Sequence, residues 1–144
     1  MTEVILLGID GSPNSERAAD MAAEHARAAG RKLLVAHVIE WSPYTFNTPE
    51  ENEVRHRRRE EEIDRAEAHV VRPIVERLRR AGVESETVVR HGHAAEMLGQ
   101  LAKEHDVKQI YVGRIGQSRL RDLLFGSVAG SLVQISPVPV TVVP

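Results

Sequence analysis

One loop in this 144-residue chain is spaced to hold an anion. It reads Gly113-Arg114-Ile115-Gly116, then nine residues, then Gly126-Ser127. The pattern G-x2-G-x9-G-S lies between an apolar run that predicts a strand, 109–113, and a segment that predicts a short helix, 127–135. Glycines let a backbone come close to a phosphate and adopt positive φ, and successive N–H groups can form a nest around the charge. Ser127 sits where a helix begins, so free N–H groups and the helix dipole favour negative charge there, with its hydroxyl as one more donor. Arg114, Arg119 and Arg121 add cations of the type that pairs well with phosphate. The plain alternative is a glycine-punctuated loop in which Ser127 serves only as an N-cap. Asp10, just after the first apolar run, is the one carboxylate placed to touch a phosphate or a metal carried by it.

Other chemistries find less support. There is no cysteine, which removes disulfides, thiolate nucleophiles and Cys-based zinc sites. The chain contains no G-x4-G-K-[ST] loop, no G-x-G-x-x-G and no G-x-S-x-G elbow. His91-Gly92-His93 has the look of a metal pair, but Glu96 is the only carboxylate near it in sequence. His93 is better read as capping a helix or lining the mouth of the sheet. His37 falls in an apolar strand and reads as a core histidine with a satisfied ring. Phosphoryl transfer normally combines a cation, a metal ligand and a group that positions water. Asp10, Arg114 and Arg119 are candidates for the first two roles, and no base stands out.

The elements that must position these residues alternate. EVILLGI, 3–9, is apolar on both faces, as a central parallel strand is. Ser12-Pro13 opens a helix over 13–29, rich in alanine, that Gly30 stops. KLLVAHVI, 32–39, is the second strand. A loop with Trp41, Tyr44 and Phe46 follows, read as a small aromatic cluster under that loop. Residues 50–81 predict one long charged helix that Gly82 ends, with Ile63, Ala66, Val70, Ile74 and Leu78 as its buried stripe. Pro73 should kink it near His69. Glu51–Arg55, Glu53–Arg57 and Glu61–Arg65 are spaced i,i+4 for ion pairs on its solvated face. Strands at 86–91, 109–113 and 138–143 and helices at 94–105 and 127–135 complete a β-α-β-α-β-α-β-loop-α-β order. That alternation predicts a parallel sheet with helices on both faces, in one domain over 1–144.

Taken together, Ile9-Asp10-Gly11-Ser12, His37-Val38, Gly113…Gly116…Gly126-Ser127-Val128 and Pro137-Val138-Pro139-Val140 resemble the universal stress protein family, of its nucleotide-binding kind, over essentially the whole chain. The resemblance implies an open five-stranded parallel sheet in the order 3-2-1-4-5, Rossmann-like, with a ligand crevice where the order reverses. It implies ATP as the ligand, with ADP or AMP as alternatives and magnesium carried by the nucleotide. The backbone of Val38 would hold the adenine edge, with Gly8, Ile9 and Asp10 near the adenosine. Gly113, Arg114, Gly116, Gln117, Ser118, Arg119, Gly126, Ser127 and Val128 would wrap ribose and phosphates. Asp10 would be the one protein group reaching the magnesium. The chain departs from the family pattern at Arg114, where Ser or Thr is usual, at Ile115, where Arg or His is usual, and at Lys108, where Asp often stands. The departures at Arg114 and Ile115 leave the number of phosphates open, and Lys108 reads as surface variation. The resemblance also implies a two-fold homodimer through the last strand.

The formal net charge is −2, and 42% of residues are hydrophobic and 28% charged. Such a chain lacks the basic footprint of a nucleic-acid binder, and no apolar run reaches the length of a membrane span. A cytoplasmic protein is expected. The leading functional expectation is a regulatory module that switches on nucleotide binding in stress responses. A slow ATPase or autophosphorylating protein using Asp10 and bound magnesium is one alternative, and a protein-interaction module without nucleotide is another.

Overall fold

The computed structural model describes residues 3–40, 49–116 and 126–144. Its five strands are β1 (Val4–Ile9), β2 (Lys32–Glu40), β3 (Ser85–Gly92), β4 (Gln109–Gly113) and β5 (Val140–Val143). They form one sheet in the order β3-β2-β1-β4-β5, and every neighbouring pair is parallel. The helices are α1 (Pro13–Ala29), α2 (Pro49–Ala66), α3 (Arg72–Arg80), α4 (Ala94–Glu104) and α5 (Ser127–Ile135). The open five-stranded α/β architecture and its strand order are those expected above.

Two apolar layers flank the sheet. One joins Ile5, Leu7 and Ile9 of β1 to α1 and α3, and the other joins Leu6 of β1 to α4 and α5. Alternate β1 side chains therefore serve opposite layers, which is why that strand is apolar throughout. Helix α1 turns Ala18, Ala19, Ala22, Ala23 and Ala26 to the sheet, each at most 4% exposed. Ser12 caps its start by accepting from the Ser15 N–H, Pro13 occupies the first turn, and Gly30 ends it with φ 66°. Arg77 of α3 forks onto Asp20 of α1 at 2.6 and 2.9 Å. That hydrogen bond holds the Asp20 carboxyl below the usual range, although so exposed a pair adds little stability. Tyr111 of β4 is fully buried with its hydroxyl on His25 Nδ1 of α1, and burial pushes its phenol pKa up.

The long helix differs from the single kinked α-helix expected over 50–81. Between α2 and α3 the chain takes a π-helical turn, Glu67–Val71, in which the Arg72 N–H bonds back to the Glu67 carbonyl. The wider turn lies directly before Pro73, which has no N–H to give to His69. One consequence is a shifted stripe. Val71, which the α-helical spacing missed, is 3% exposed beside Ile74 and Leu78, and Val70 is only partly buried. The pairs Glu53–Arg57 and Glu61–Arg65 do not form among the described residues; His56–Glu60 does, at 3.1 Å. The predicted last strand shortens to Val140–Val143, since Pro137 and Pro139 cannot donate to a ladder. Trp41, Tyr44 and Phe46 lie outside the described residues.

Gly99 sits inside α4, where glycine costs helix stability relative to alanine. A Cβ built there meets only Pro137 Cδ, at an ordinary 3.8 Å. Gly99→Ala should therefore stabilise the fold by about 0.5–1 kcal/mol, read as a raised urea midpoint with unchanged m-value.

Candidate functional site

The turn from β1 into α1 is tied by Asp10. Its Oδ1 accepts from the Ser12 N–H at 2.9 Å and from the Ser15 hydroxyl at 2.7 Å. The Asp10 N–H in turn donates to Ser15 Oγ at 2.9 Å. Gly11 takes the left-handed conformation this turn needs, at φ 83°. Ser15 is 3% exposed, so the knot is internal to the fold.

The end of β4 seats on this turn. A Cβ on Gly113 would lie 2.7 Å from Asn14 Cβ and 3.1 Å from the Asn14 carbonyl carbon. A Cβ on Gly116 would overlap Asp10 Oδ2. Neither glycine, nor Gly126, has positive φ. The expected reason for these glycines therefore needs correcting: close approach between two turns, not unusual dihedrals, requires them. The Gly126 N–H donates to the Arg114 carbonyl at 2.7 Å, closing the neck of the loop, and the Arg114 N–H donates to the Val143 carbonyl at 2.8 Å. Asn14 Nδ2 donates to the same Val143 carbonyl at 3.1 Å.

Gly126 is also the N-cap of α5. It brings no side-chain cap, and the first bond up the helix is Gly130 N–H to the Gly126 carbonyl. Ser127 is thus the first helical residue and not the cap, contrary to the plain alternative above. The N–H groups of this first turn point out of the helix, where an anion is favoured.

Between this helix start and the carboxyl ends of β1, β2 and β4 lies a cleft of about 250 Å³, near the lower size of small-ligand pockets. Gly8, Ile9, Asp10, Val38, Gly113, Arg114, Gly116, Gly126, Ser127 and Val128 all line it. Gln117, Ser118, Arg119 and Arg121 lie outside the described residues. The cleft also takes in Ser12, Ser15, Ala36, Glu40, Ala94, Leu98, Val112, Ile115 and Ala129. Of these, Ala36, Leu98, Val112 and Ala129 form an apolar floor with Val38 and Val128, and could be foreseen from strand and helix periodicity once the sheet order is known. Glu40 could not, because its place depends on β2 outrunning its neighbour. Ladder pairing of β1 with β2 stops at Ile9–His37, whereas β2 continues along β3 to Glu40–Gly92.

The histidines divide as the geometry dictates. His37 Nδ1 bonds the Ile9 carbonyl at 2.9 Å, a satisfied ring within the sheet. His91 reaches Glu62 of α2 at 2.9 Å, and His93 reaches Glu40 at 3.7 Å. The two rings thus face different carboxylates, and no group of three metal-ligating side chains gathers among the described residues. His93 holds the N-cap position of α4 without capping it; Glu40 Oε1 instead accepts the Ala94 N–H at 3.2 Å.

The close seating of β4 on α1 gives a stability test. Gly113→Ala must push against the backbone of Asn14 and should cost about 1–3 kcal/mol, measured by chemical denaturation.

The sequence matches the universal stress protein family over residues 1–144. It is 34% identical to the universal stress protein in the QAH/OAS sulfhydrylase 3′ region of Thermus aquaticus, covering 99% of each chain. It is 30% identical to universal stress protein YxiE of Bacillus subtilis, again over 99% of each. Among solved structures, universal stress protein UspA from Lactobacillus plantarum superposes with a TM-score of 0.83 at 21% identity, over 99% of this chain and 97% of that one. The Archaeoglobus fulgidus universal stress protein in complex with dAMP gives 0.73 at 22% identity, over 100% and 98%. A universal stress protein in complex with cAMP gives 0.71 at 23%, over 99% and 97%. At these identities the structures speak for the fold alone; the family match over the whole chain and the relatives at 30% and 34% identity show that this chain belongs to the universal stress protein family.

Proposed function

We propose that this chain binds an adenine nucleotide in the cleft at the carboxyl ends of β1, β2 and β4, as one unit over 1–144. The observation that carries the reading is the division of the cleft into an apolar floor and one donor-rich end. Ala36, Val38, Leu98 and Val112 supply an apolar surface suited to a base. Gly126 and Ser127 supply the first turn of α5 with no side-chain cap, suited to phosphate. Arg114 lines the same end as a cation. Family members that bind dAMP and cAMP share the fold, which supports an adenine ligand, with ATP, ADP and AMP as candidates. A magnesium ion would arrive on the polyphosphate, with Asp10 as its protein carboxylate.

The output we propose is occupancy rather than turnover: a regulatory protein of the stress response that reports nucleotide to a partner. Asp10 supports this. Its Oδ1 is committed to the Ser12 N–H and Ser15 hydroxyl, the role of a turn-former and not of a base. We further propose a two-fold homodimer through β5. It is an edge strand, and Val133 and Ile135 beside it are 49% and 52% exposed, an apolar margin that a second copy would cover.

Calorimetry with ATP, ADP and AMP should give a dissociation constant in the micromolar range, about −8 kcal/mol. Gly116→Val, whose side chain must displace Asp10, should abolish most of that heat; undiminished affinity in this variant would remove the loop from the site. Sedimentation at micromolar protein should show a dimer that Val142→Glu weakens, and a monomer in the unaltered chain would sink the β5 interface.

A further inference from the structure

Glu40, at the rim of the cleft with its side chain 60% exposed, carries a charge that the anion-binding loop does not explain. We propose that it is the specificity residue at the base end, reading the 6-amino group of the purine; this rests on the nucleotide reading above.

The first argument is position. Ile9 stands level with His37 on β2, and Leu7 stands level with Tyr111 on β4, so Gly113 shares the level of His37. Glu40 is three residues further along β2 and two strands across from Gly113. Strand rise and spacing put their backbones roughly 14 Å apart. A carboxylate arm at one end and a phosphate against the loop at the other shorten that gap to the span of a nucleoside from base edge to sugar carbon 5′.

The second argument is charge. The Ser127 end offers the first turn of α5 and the Arg114 cation, with Asp10 Oδ1 there already answered by Ser12 and Ser15, whereas Glu40 offers only acceptors. A phosphate is repelled from Glu40 and drawn to α5, so the ligand enters in one orientation, with its base toward the carboxylate.

The third argument is fixity. Glu40 Oε1 is held by the Ala94 N–H at 3.2 Å, and His93 Nδ1 lies 3.7 Å from Oε2. The arm is therefore aimed along the start of α4, whose Ala94 and Leu98 line the same cleft. A carboxylate so placed accepts from an exocyclic N–H2 and gains nothing from a base without one.

The test compares AMP with purine riboside 5′-monophosphate, the same nucleotide without its 6-amino group, by calorimetry on the intact chain. AMP should bind about tenfold tighter. In Glu40→Gln, the amide oxygen can keep the Ala94 contact while its N–H2 faces the base, so the preference should collapse toward equality. Equal binding of both ligands by the unaltered chain overturns the proposal while leaving the nucleotide reading intact, and needs no variant. Equal weakening of both ligands in Glu40→Gln, with its circular dichroism unchanged, overturns it too, since Glu40 would then act only on α4. If the unaltered chain binds neither ligand, the nucleotide reading itself fails and this inference with it.

Discussion

The cleft depends on the contact between two turns. The β1–α1 turn is made rigid from within, by a carboxylate whose Oδ1 accepts from Ser12 and Ser15. The chain leaving β4 is laid against that turn, with Gly113 on Asn14 and Gly116 on Asp10. Both turns sit at the carboxyl ends of adjacent parallel strands, where the connections depart to opposite sides of the sheet and leave a gap. Without an internally satisfied first turn, the second would have nothing fixed to seat on, and the start of α5 would not face the gap.

Much of this was legible in the amino-acid order. Asp10-Gly11-Ser12-Pro13 states a turn and a helix start through backbone chemistry alone, and Gly30 states its end, so α1 runs between the limits expected. The glycines of the β4–α5 connection were also visible, but for an incomplete reason. Their dihedrals are ordinary, and what they provide is the absence of a Cβ at contacts with residues about a hundred positions away. Spacing along the chain cannot reveal such a contact. The same limit hid Glu40, whose place in the cleft depends on β2 running three residues past β1. It hid Val71 as well, because a π turn ahead of Pro73 breaks the 3.6-residue rule on which the stripe was read.

Charge in the cleft is set strand by strand, and Asp10, whose Oδ2 faces Gly116, follows β1. Arg114 and the first turn of α5 lie on the β4 side, and Glu40 with the first turn of α4 lies on the β2 side. Two helices point their starts at the same gap, yet they are not equivalent. The start of α4 is already answered by a carboxylate from the protein, and the start of α5, with a glycine at its N-cap, is answered by no side chain among the described residues.

The alanine face of α1 has a consequence at a distance. Five methyl groups set the gap between that helix and the sheet, and a methyl is the smallest spacer a chiral residue can offer. Helix α1 also carries Asn14, which bears on Gly113 and holds the Val143 carbonyl. The thickness of the helix–sheet layer thus acts as a gauge for the mouth of the cleft. A bulkier residue at Ala18 or Ala22 would lift the helix and disengage Asn14 from strands β4 and β5. Such a change would read as a binding defect although it lies within the interior and touches no ligand.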